Sequence, residues 1–378
     1  MDKQELFAWS LAHKQEQLAL LKELAAIPAP SHQEDKRVAF ICNWLEQQGA
    51  KGFYVDEALN VVLPFDCEGQ SDITVYMAHT DVVFPDLETL PVRETEEKLF
   101  APGVGDDTAN VVSLMLCVKY LLSNSCTPKE PVLIVFNSCE EGLGNLKGVR
   151  QIMKEYAGRI RQVVSFDCQY TDLYVRAVGS ERWRVCAATC GGHSYSAFGN
   201  PNAIAYLAGL VTKLYQQGLP QVEGAKVTYN VGAICGGTSV NTIAQNAEML
   251  YEYRSDDASC LATMRRQFME LVDAAQCPEA SFTVTCIGER PCGNRMPIDA
   301  QEVLIQRCSD AITAVTGNTP ERRSASTDAN IPLSMGIPAV TFGLYTGAGA
   351  HTREEYVNID SLETGLRIAL ITVTDHFK

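Results

Sequence analysis

The sequence predicts an α/β protein in which a mostly parallel sheet, with helices on both faces, carries an inserted α+β domain. In the first half of the chain, buried strand patterns alternate with helical patterns, an order that is typical of parallel sheets. The strand patterns then lengthen, and with the helices they follow the order β-α-β-β-α-β. The α/β pattern resumes after Pro291. We therefore assign residues 1–174 and 289–378 to the first domain and residues 175–288 to the insertion.

The first domain begins with helical patterns and a hairpin. Residues 3–27 carry apolar residues at helical spacing until two prolines break the pattern. Ser31 and Glu34 match the capping-box pattern Ser-x-x-Glu, which predicts a helix that runs to about residue 48. Residues 52–65 are predicted to form a β-hairpin.

Continuous apolar runs then predict strands that are covered on both faces of the sheet. These strands are residues 73–78, 131–136 and 162–166, and a helix begins near Asp106. The insertion is predicted to contain strands at 183–189, 226–234, 248–254 and 281–287, and helices at 201–217 and 257–275. The last part of the chain is predicted to contain a helix at 301–316, a strand at 339–342 and a helix at 361–377.

The composition argues against several kinds of partner. The formal net charge is -15 and the sequence pI is about 4.9, so we expect neither nucleic-acid binding nor adhesion to an anionic membrane. No apolar run is long enough to span a bilayer. The fourteen cysteines include no C-x-x-C pair, which favours free thiols in a reducing cytoplasm.

Residues of the types that bind metal ions occur in five short stretches, most of them directly after predicted strands. The stretches contain His79 with Asp81, Asp106 with Asp107, Glu140 with Glu141, Asp167, and His351. Because ligands of open α/β sheets bind at the carboxyl ends of strands, these side chains can meet at one edge. Two imidazoles and several carboxylates suit two divalent ions, either zinc or zinc with cobalt or manganese, and contain too much nitrogen for calcium. The pattern predicts a two-metal hydrolytic site.

Three of the stretches also have a simpler explanation. Asp106 and Asp107 can cap the helix that they begin, because the helix dipole favours carboxylates there. Glu140 and Glu141 can form a solvated acidic turn, and His351 can be an exposed loop residue. If the site forms, the adjacent side chains of Glu140 and Glu141 point in different directions, so that one can bind metal and the other can act as general base.

The motifs jointly resemble the co-catalytic zinc metallopeptidases that include peptidase T, aminoacylase, acetylornithine deacetylase and succinyl-diaminopimelate desuccinylase. The motifs that carry this resemblance are Ala78-His79-Thr80-Asp81-Val82-Val83, Gly105-Asp106-Asp107, Glu140-Glu141-Gly142, Gly236-Gly237-Thr238 with Asn241, and Gly349-Ala350-His351-Thr352. They extend from about residue 75 to residue 357, and the domain order fits nearly the whole chain.

The resemblance implies a ligand set for two zinc ions. His79 and Asp167 would bind one ion, and Glu141 and His351 would bind the other. Asp106 would bridge the two ions.

The resemblance also implies how neighbouring residues act. Glu140 would be the general base, Asp81 would orient the imidazole of the first histidine ligand, and the peptide bond before Asp107 would be cis. Two positions depart from the family pattern. Thr108 stands where a basic residue is common, and Cys139 stands where an acidic or small residue is common, so substrate preference is more in doubt than catalysis.

The insertion resembles the lid and dimerisation domain of the family. His193 would reach the active site of a partner subunit and stabilise the oxyanion of the tetrahedral intermediate. Asn241 and Arg254 would hold substrate, although Arg254 can also be an outward-facing strand residue. The stretch Ser326-Thr327-Asp328-Ala329 matches a family loop beside the site.

We therefore expect a cytoplasmic, homodimeric hydrolase that cleaves an amide bond in short peptides, as peptidase T does. The alternative within the family is a deacylase or desuccinylase that acts on N-acyl amino acids. Rivals outside this chemistry are a non-enzymatic relative that binds a small ligand, and an α/β protein with one metal or none whose acidic strand ends are only solvated.

Overall fold

The computed structural model describes residues 2–293 and 298–378. The chain divides into two units, of which the first consists of Met1–Ala177 and Arg295–Lys378 and the second is Val178–Asn294. Among the described residues, no helix combines the length and the hydropathy that crossing a bilayer requires.

The first unit begins with helices and a hairpin, as predicted. These elements are α1 (Lys3–Ala12), α2 (Lys14–Ala25), α3 (Asp35–Gln47), β1 (Tyr54–Val55) and β2 (Val61–Phe65). The unit continues with β3 (Ile73–His79), β4 (Arg93–Glu94), β5 (Lys98–Phe100), a wide helical turn (Val104–Ala109), α4 (Asn110–Ser123), β6 (Val132–Asn137), a 3-10 turn (Gly142–Gly144), α5 (Lys147–Glu155), β7 (Ile160–Phe166) and β8 (Asp172–Ala177).

The described residues of the second unit form a four-stranded antiparallel sheet, a two-stranded antiparallel pair and two helices. Its elements are β9 (Gly179–Ala188), β10 (Gly192–His193), α6 (Ala203–Gln216), β11 (Val227–Gly236), β12 (Thr242–Ile243), β13 (Asn246–Ser255), α7 (Ala258–Asp273) and β14 (Ser281–Arg290). The strand order is β11-β13-β9-β14, so that the first and last long strands of the unit are neighbours and Ser180 pairs with Arg290. Leu207 of α6 and Phe268 of α7 belong to the apolar core of this unit.

The last part of the chain returns to the first unit. It contains α8 (Ile298–Thr316), β15 (Glu321–Ala325), α9 (Asn330–Ser334), β16 (Ala339–Phe342), β17 (Gly347–Ala348), β18 (Tyr356–Asn358) and α10 (Ile359–Thr374). The described residues form an eight-stranded sheet in the order β1-β2-β6-β3-β7-β16-β8-β15. Its four central strands, β6, β3, β7 and β16, are parallel to one another.

Alternate side chains of the central strands contribute to two separate apolar cores. Tyr76 and Ala78 of β3 belong to the core that includes residues of α2, α4 and α10, whereas Val75 and Met77 belong to the core that includes residues of α5. This alternation follows from the two-residue period of a strand. Helices therefore cover both faces of a mostly parallel sheet, and the predicted fold class is confirmed.

Candidate metal centre

Neighbouring parallel strands bring most of the predicted ligands to one edge of the sheet. His79 is the last residue of β3, and Asp167 directly follows β7. Glu140 and Glu141 follow β6, and the loop after β16 leads to His351. Because β6, β3, β7 and β16 are adjacent and parallel, these positions all lie at the carboxyl edge.

Asp106 is shared by two groups of potential ligands. In each group, one ligand atom from every residue lies within 4.8 Å of the others, and the groups are His79, Asp106, Asp107 and Asp167, and then Asp106, Glu141 and His351. One Asp106 oxygen, Oδ1, is 3.1 Å from His79 Nε2, and the other, Oδ2, is 3.1 Å from His351 Nε2. The peptide bond between Asp106 and Asp107 is cis, as expected. Asp106 therefore presents one oxygen to each histidine.

Asp81 connects the first histidine to the turn that carries the two glutamates. Its Oδ1 accepts the N–H of Glu140 at 2.9 Å, and its Oδ2 accepts the N–H of Glu141 at 2.9 Å. His79 Nδ1 lies 3.1 Å from the main-chain oxygen of Asp81 and 3.4 Å from its carboxylate. Glu140, His79 and Glu141 form a further close group of potential ligands. Asp81 thus contacts the imidazole and also holds the Glu140–Glu141 turn.

Burial and crowding shift the proton affinities of these side chains. Burial, with the charge of Asp106, raises the pKa of Asp167 to about 7 and that of Glu141 to about 8. Although burial opposes it, hydrogen bonds from His351 and His79 hold the pKa of Asp106 below its usual range. Hydrogen bonds to Asp106 and Glu141 raise the pKa of His351 to about 11. The carboxylates outnumber the histidines, so the cluster contains more acidic than basic side chains.

The donor set fits a pair of divalent cations. Five carboxylic acids and two imidazoles meet within a few ångströms, and the side chains of His79, Glu140, Glu141 and Asp167 are nearly fully buried. Buried charges are stable only when they are paired or coordinate a metal ion. Carboxylate oxygen with imidazole nitrogen is a ligand mixture that suits zinc and other first-row metals.

The capping-box prediction for Ser31 and Glu34 is wrong, because both side chains form hydrogen bonds with residues at or beside the candidate site. The Ser31 hydroxyl donates to Asp81 Oδ2 at 2.7 Å, and no side-chain bond caps α3. Glu34 Oε1 accepts the N–H of His32 and the N–H of Cys139, each at 3.0 Å. The pattern Ser-x-x-Glu drew attention to both residues because it is typical of helix starts. Spacing alone cannot distinguish a capping box from two side chains that bond to distant residues.

A buried arginine that the sequence did not single out lies behind the site. Arg37 of α3 is inaccessible to solvent, and its Nη1 donates to the Thr80 carbonyl and to Thr108 Oγ1, each at 3.0 Å. Burial lowers the pKa of Arg37 to about 10, so it stays charged at neutral pH. A cation from α3 therefore contacts Thr108, the position where the family resemblance led us to expect a basic residue. Nearby, buried Asp328 accepts a bond from Asn137, the last residue of β6, at 2.6 Å.

The remaining predicted site residues belong to the second unit. His193 of β10 pairs with Thr242 of β12 and is exposed, and its Nδ1 accepts the N–H of Tyr195 at 3.2 Å. Asn241 lies beside it, because the Asn241 carbonyl accepts the N–H of the residue after His193 at 3.0 Å. Arg254 of β13 forms two 3.1 Å hydrogen bonds with Glu252 on the same strand. The structure thus brings His193 and Asn241 together and pairs Arg254 with a carboxylate.

Comparison with known proteins places the chain in a family. The sequence profile of Peptidase family M20/M25/M40 matches residues 75–375. The succinyl-diaminopimelate desuccinylase of Corynebacterium glutamicum is 24% identical over 351 residues, which cover 91% of this chain and 92% of that protein.

Solved structures of the same fold include two peptidases. A tripeptidase from Staphylococcus aureus has a TM-score of 0.76 at 18% identity, with 96% of this chain and 98% of that chain covered. A dinuclear metal-binding peptidase of the M20 family from Bacillus subtilis has a TM-score of 0.61 at 15% identity, with 96% and 98% covered. Because the family profile spans most of the chain, the resemblance found in the motifs is confirmed: the chain belongs to Peptidase family M20/M25/M40 and is a hydrolase of amide bonds.

Proposed function

We propose that the protein is a di-zinc peptidase that cleaves short peptides, with cobalt or manganese as other metals that the same ligands suit. His79 and Asp167 would hold one ion, and Glu141 and His351 would hold the other. Asp106 would be shared by the two ions. The observation that carries the proposal is Asp106 itself, because its two oxygens face two different histidines at the same distance of 3.1 Å.

The residues around the ions supply the rest of the chemistry. When bound, two such ions activate a water molecule and polarise the scissile carbonyl. Glu140 takes a proton from the attacking water and passes it to the nitrogen of the leaving amine. Asp81 keeps the Glu140 main chain in place through the 2.9 Å hydrogen bond from its N–H.

Two observations support short peptides as the substrate class. The stretch Ser326-Thr327-Asp328-Ala329-Asn330-Ile331 and the Gly-Ala-His-Thr loop resemble peptidase T, and a tripeptidase shares the fold over nearly the full length of both chains. The alternative, an N-acyl amino acid deacylase, is favoured by the desuccinylase relative. Purified protein should be assayed on di- and tripeptides and on N-acetyl and N-succinyl amino acids, with zinc, cobalt or manganese added. Hydrolysis of only the acyl amino acids would overturn the peptidase assignment.

Glu140→Gln tests the general base. The amide keeps the shape of the side chain but cannot accept the proton, so we expect kcat to fall by roughly 100- to 10,000-fold. The variant should still bind two metal ions per chain, as measured by elemental analysis. Glu68→Gln, which changes an exposed glutamate, is the matched control and should retain full activity. Activity retained in Glu140→Gln would remove Glu140 from its assigned role.

The second unit is proposed to act as a lid and to form a homodimer, with His193 stabilising the oxyanion in the partner's site and Asn241 and Arg254 holding substrate. Light scattering measures the oligomeric state. Mixing inactive His193→Ala subunits with inactive Glu140→Gln subunits should restore part of the activity, because a hybrid dimer contains one site with both residues intact. A monomer, or hybrids that remain inactive, would contradict the proposal.

A reducing cytoplasm is the proposed location, because the fourteen cysteines are all free thiols in the structure. Thiol counting on protein from freshly fractionated cells tests this directly. Recovery in an oxidising compartment would argue against the proposal.

A further inference from the structure

A buried glutamate links the loop of one predicted ligand to the turn of another. Glu355 lies four residues after His351, and its side chain is almost inaccessible to solvent. Its Oε2 accepts the N–H of Gly103 at 2.8 Å. Its Oε1 accepts the N–H of Gly105 at 2.9 Å and the N–H of Asp106 at 2.8 Å. Main-chain groups of the Asp106 turn therefore engage both carboxylate oxygens.

The turn that receives this carboxylate has little freedom to adjust. Gly103 has a φ of 71°, in the left-handed region that favours glycine. A Cβ on Gly105 would lie 2.6 Å from the ring of Tyr345, which occupies that side of the turn. The turn also needs a hydrogen-bond acceptor, because buried N–H groups must be paired. The Glu355 carboxylate is that acceptor for three N–H groups of the turn.

We propose that Glu355 is a positioning residue of the metal centre: it fixes Asp106 relative to His351, so that the bridging carboxylate faces both cations. The inference rests on the proposed di-metal site and extends it to a residue outside the ligand set. Asp106 and His351 are far apart in the sequence, yet Asp106 Oδ2 and His351 Nε2 lie 3.1 Å apart. A side chain that accepts three main-chain hydrogen bonds is suited to hold the two segments together.

Glu355→Gln is the informative substitution, with Glu354→Gln as its matched control. The introduced amide would replace one acceptor oxygen by an NH₂ group, which would face at least one N–H of the turn. The control removes the same charge from the adjacent residue, whose side chain is 85% exposed. Binding of Zn²⁺ and Co²⁺ to the metal-free proteins is measured by titration calorimetry, without any substrate. The visible absorption spectrum of the Co²⁺-loaded proteins reports the ligand geometry.

We expect Glu355→Gln to weaken metal binding by about 10- to 100-fold, the range found when groups that orient metal ligands are changed. The Co²⁺ spectrum should change at saturating metal, and Glu354→Gln should match the wild type in both measurements. Glu355→Asp, which keeps both acceptor oxygens, should fall between the wild type and Glu355→Gln, and it serves the same comparison if Glu355→Gln does not fold.

Two results would overturn the inference. In the first, Glu355→Gln lowers only the melting temperature and leaves the metal affinity and the Co²⁺ spectrum unchanged, which means that the residue has a general stabilising role. In the second, Glu354→Gln causes the same loss of metal affinity, which means that net charge matters rather than the three hydrogen bonds. A failure of the proposed function can be distinguished from a failure of this inference, because it is seen in the wild-type protein. The wild type would then bind metal without hydrolysing any amide, or would bind no metal.

Discussion

At the scale of single residues, the Ser31 hydroxyl contacts the site through Asp81. It donates to Asp81 Oδ2 at 2.7 Å, and the same oxygen accepts the N–H of Glu141. Through Asp81 the hydroxyl therefore helps to fix the turn that carries the proposed base and one of the proposed ligands.

Ser31→Ala should lower kcat/KM roughly tenfold, because a hydrogen bond to a charged group is worth about 1.5–3 kcal/mol and its removal loosens Asp81. Steady-state assays on the best substrate of the peptide panel measure the effect. Ser71→Ala, at an exposed position, should have no effect. A variant that lost stability while keeping kcat/KM would show that this hydrogen bond stabilises the fold and does not support catalysis.

The sequence identifies the polar residues that directly follow strands. It does not identify the residues that hold those side chains in place by hydrogen bonds. His79 and Asp167 could be identified because each directly ends an apolar run. Ser31 matched a local helix pattern, and its true partner is 50 positions away. Arg37 lies on a helix where an arginine is normally solvated, and only tertiary structure shows that it is buried. Contacts of this kind depend on long-range packing, which periodicity does not encode.

At the scale of secondary structure, α10 lies in close contact with the main chain that follows β16. A Cβ on Gly365 would lie 1.4 Å from the carbonyl oxygen of Leu344. Only glycine allows the helix to approach this closely.

Gly365→Ala should lower the free energy of unfolding by about 1–3 kcal/mol or more, because the helix must move away from residue 344. Gly209→Ala in α6 is the control, since nothing lies within 4 Å of the added Cβ. That change should stabilise its helix by roughly 0.5–1 kcal/mol, because alanine loses less backbone entropy than glycine. Urea unfolding curves measure both. Equal effects of the two substitutions would contradict the close approach.

Elements with strong periodicity were predicted well, and short ones were not. Most of the long strands and helices occur where the patterns placed them, with ends that differ by a few residues, whereas β8, β15 and α9 were not predicted. The helical pattern of residues 3–27 is divided into α1 and α2 at His13. The two- and three-residue strands β4, β5, β17 and β18 form a sheet of their own. Strands this short carry no periodicity, and their pairing depends on the loops around them.

At the scale of the whole molecule, proton binding by buried acids predicts how stability depends on pH. Burial, with the charge of Asp106, raises the pKa of both Asp167 and Glu355 to about 7. In the unfolded chain such acids titrate near about 4. The folded state therefore binds more protons, and the stability that these two acids contribute is full below about pH 4 and is lost as the pH rises to about 7.

The metal-free protein should therefore melt at a temperature roughly 5 °C lower at about pH 8 than at about pH 5. With saturating zinc or cobalt the trend should reverse, because the ions bind the deprotonated ligands. Scanning calorimetry measures both series. Asp167→Asn should reduce the slope of the metal-free series, which separates the site from general charge repulsion. A metal-free melting temperature that rises over this range would contradict the prediction.

The pairing of Ser180 with Arg290 has a consequence for how this chain can change over evolution. Paired residues of an antiparallel ladder lie about 5 Å apart, a gap that a two-residue turn can close. The segment between them can thus be lost, or replaced by a different one, without stretching the host chain. His79, Asp106, Glu141 and Asp167 are encoded upstream of that junction and His351 downstream. Such a replacement would change the second unit and would leave the predicted metal ligands of the first unit in the chain.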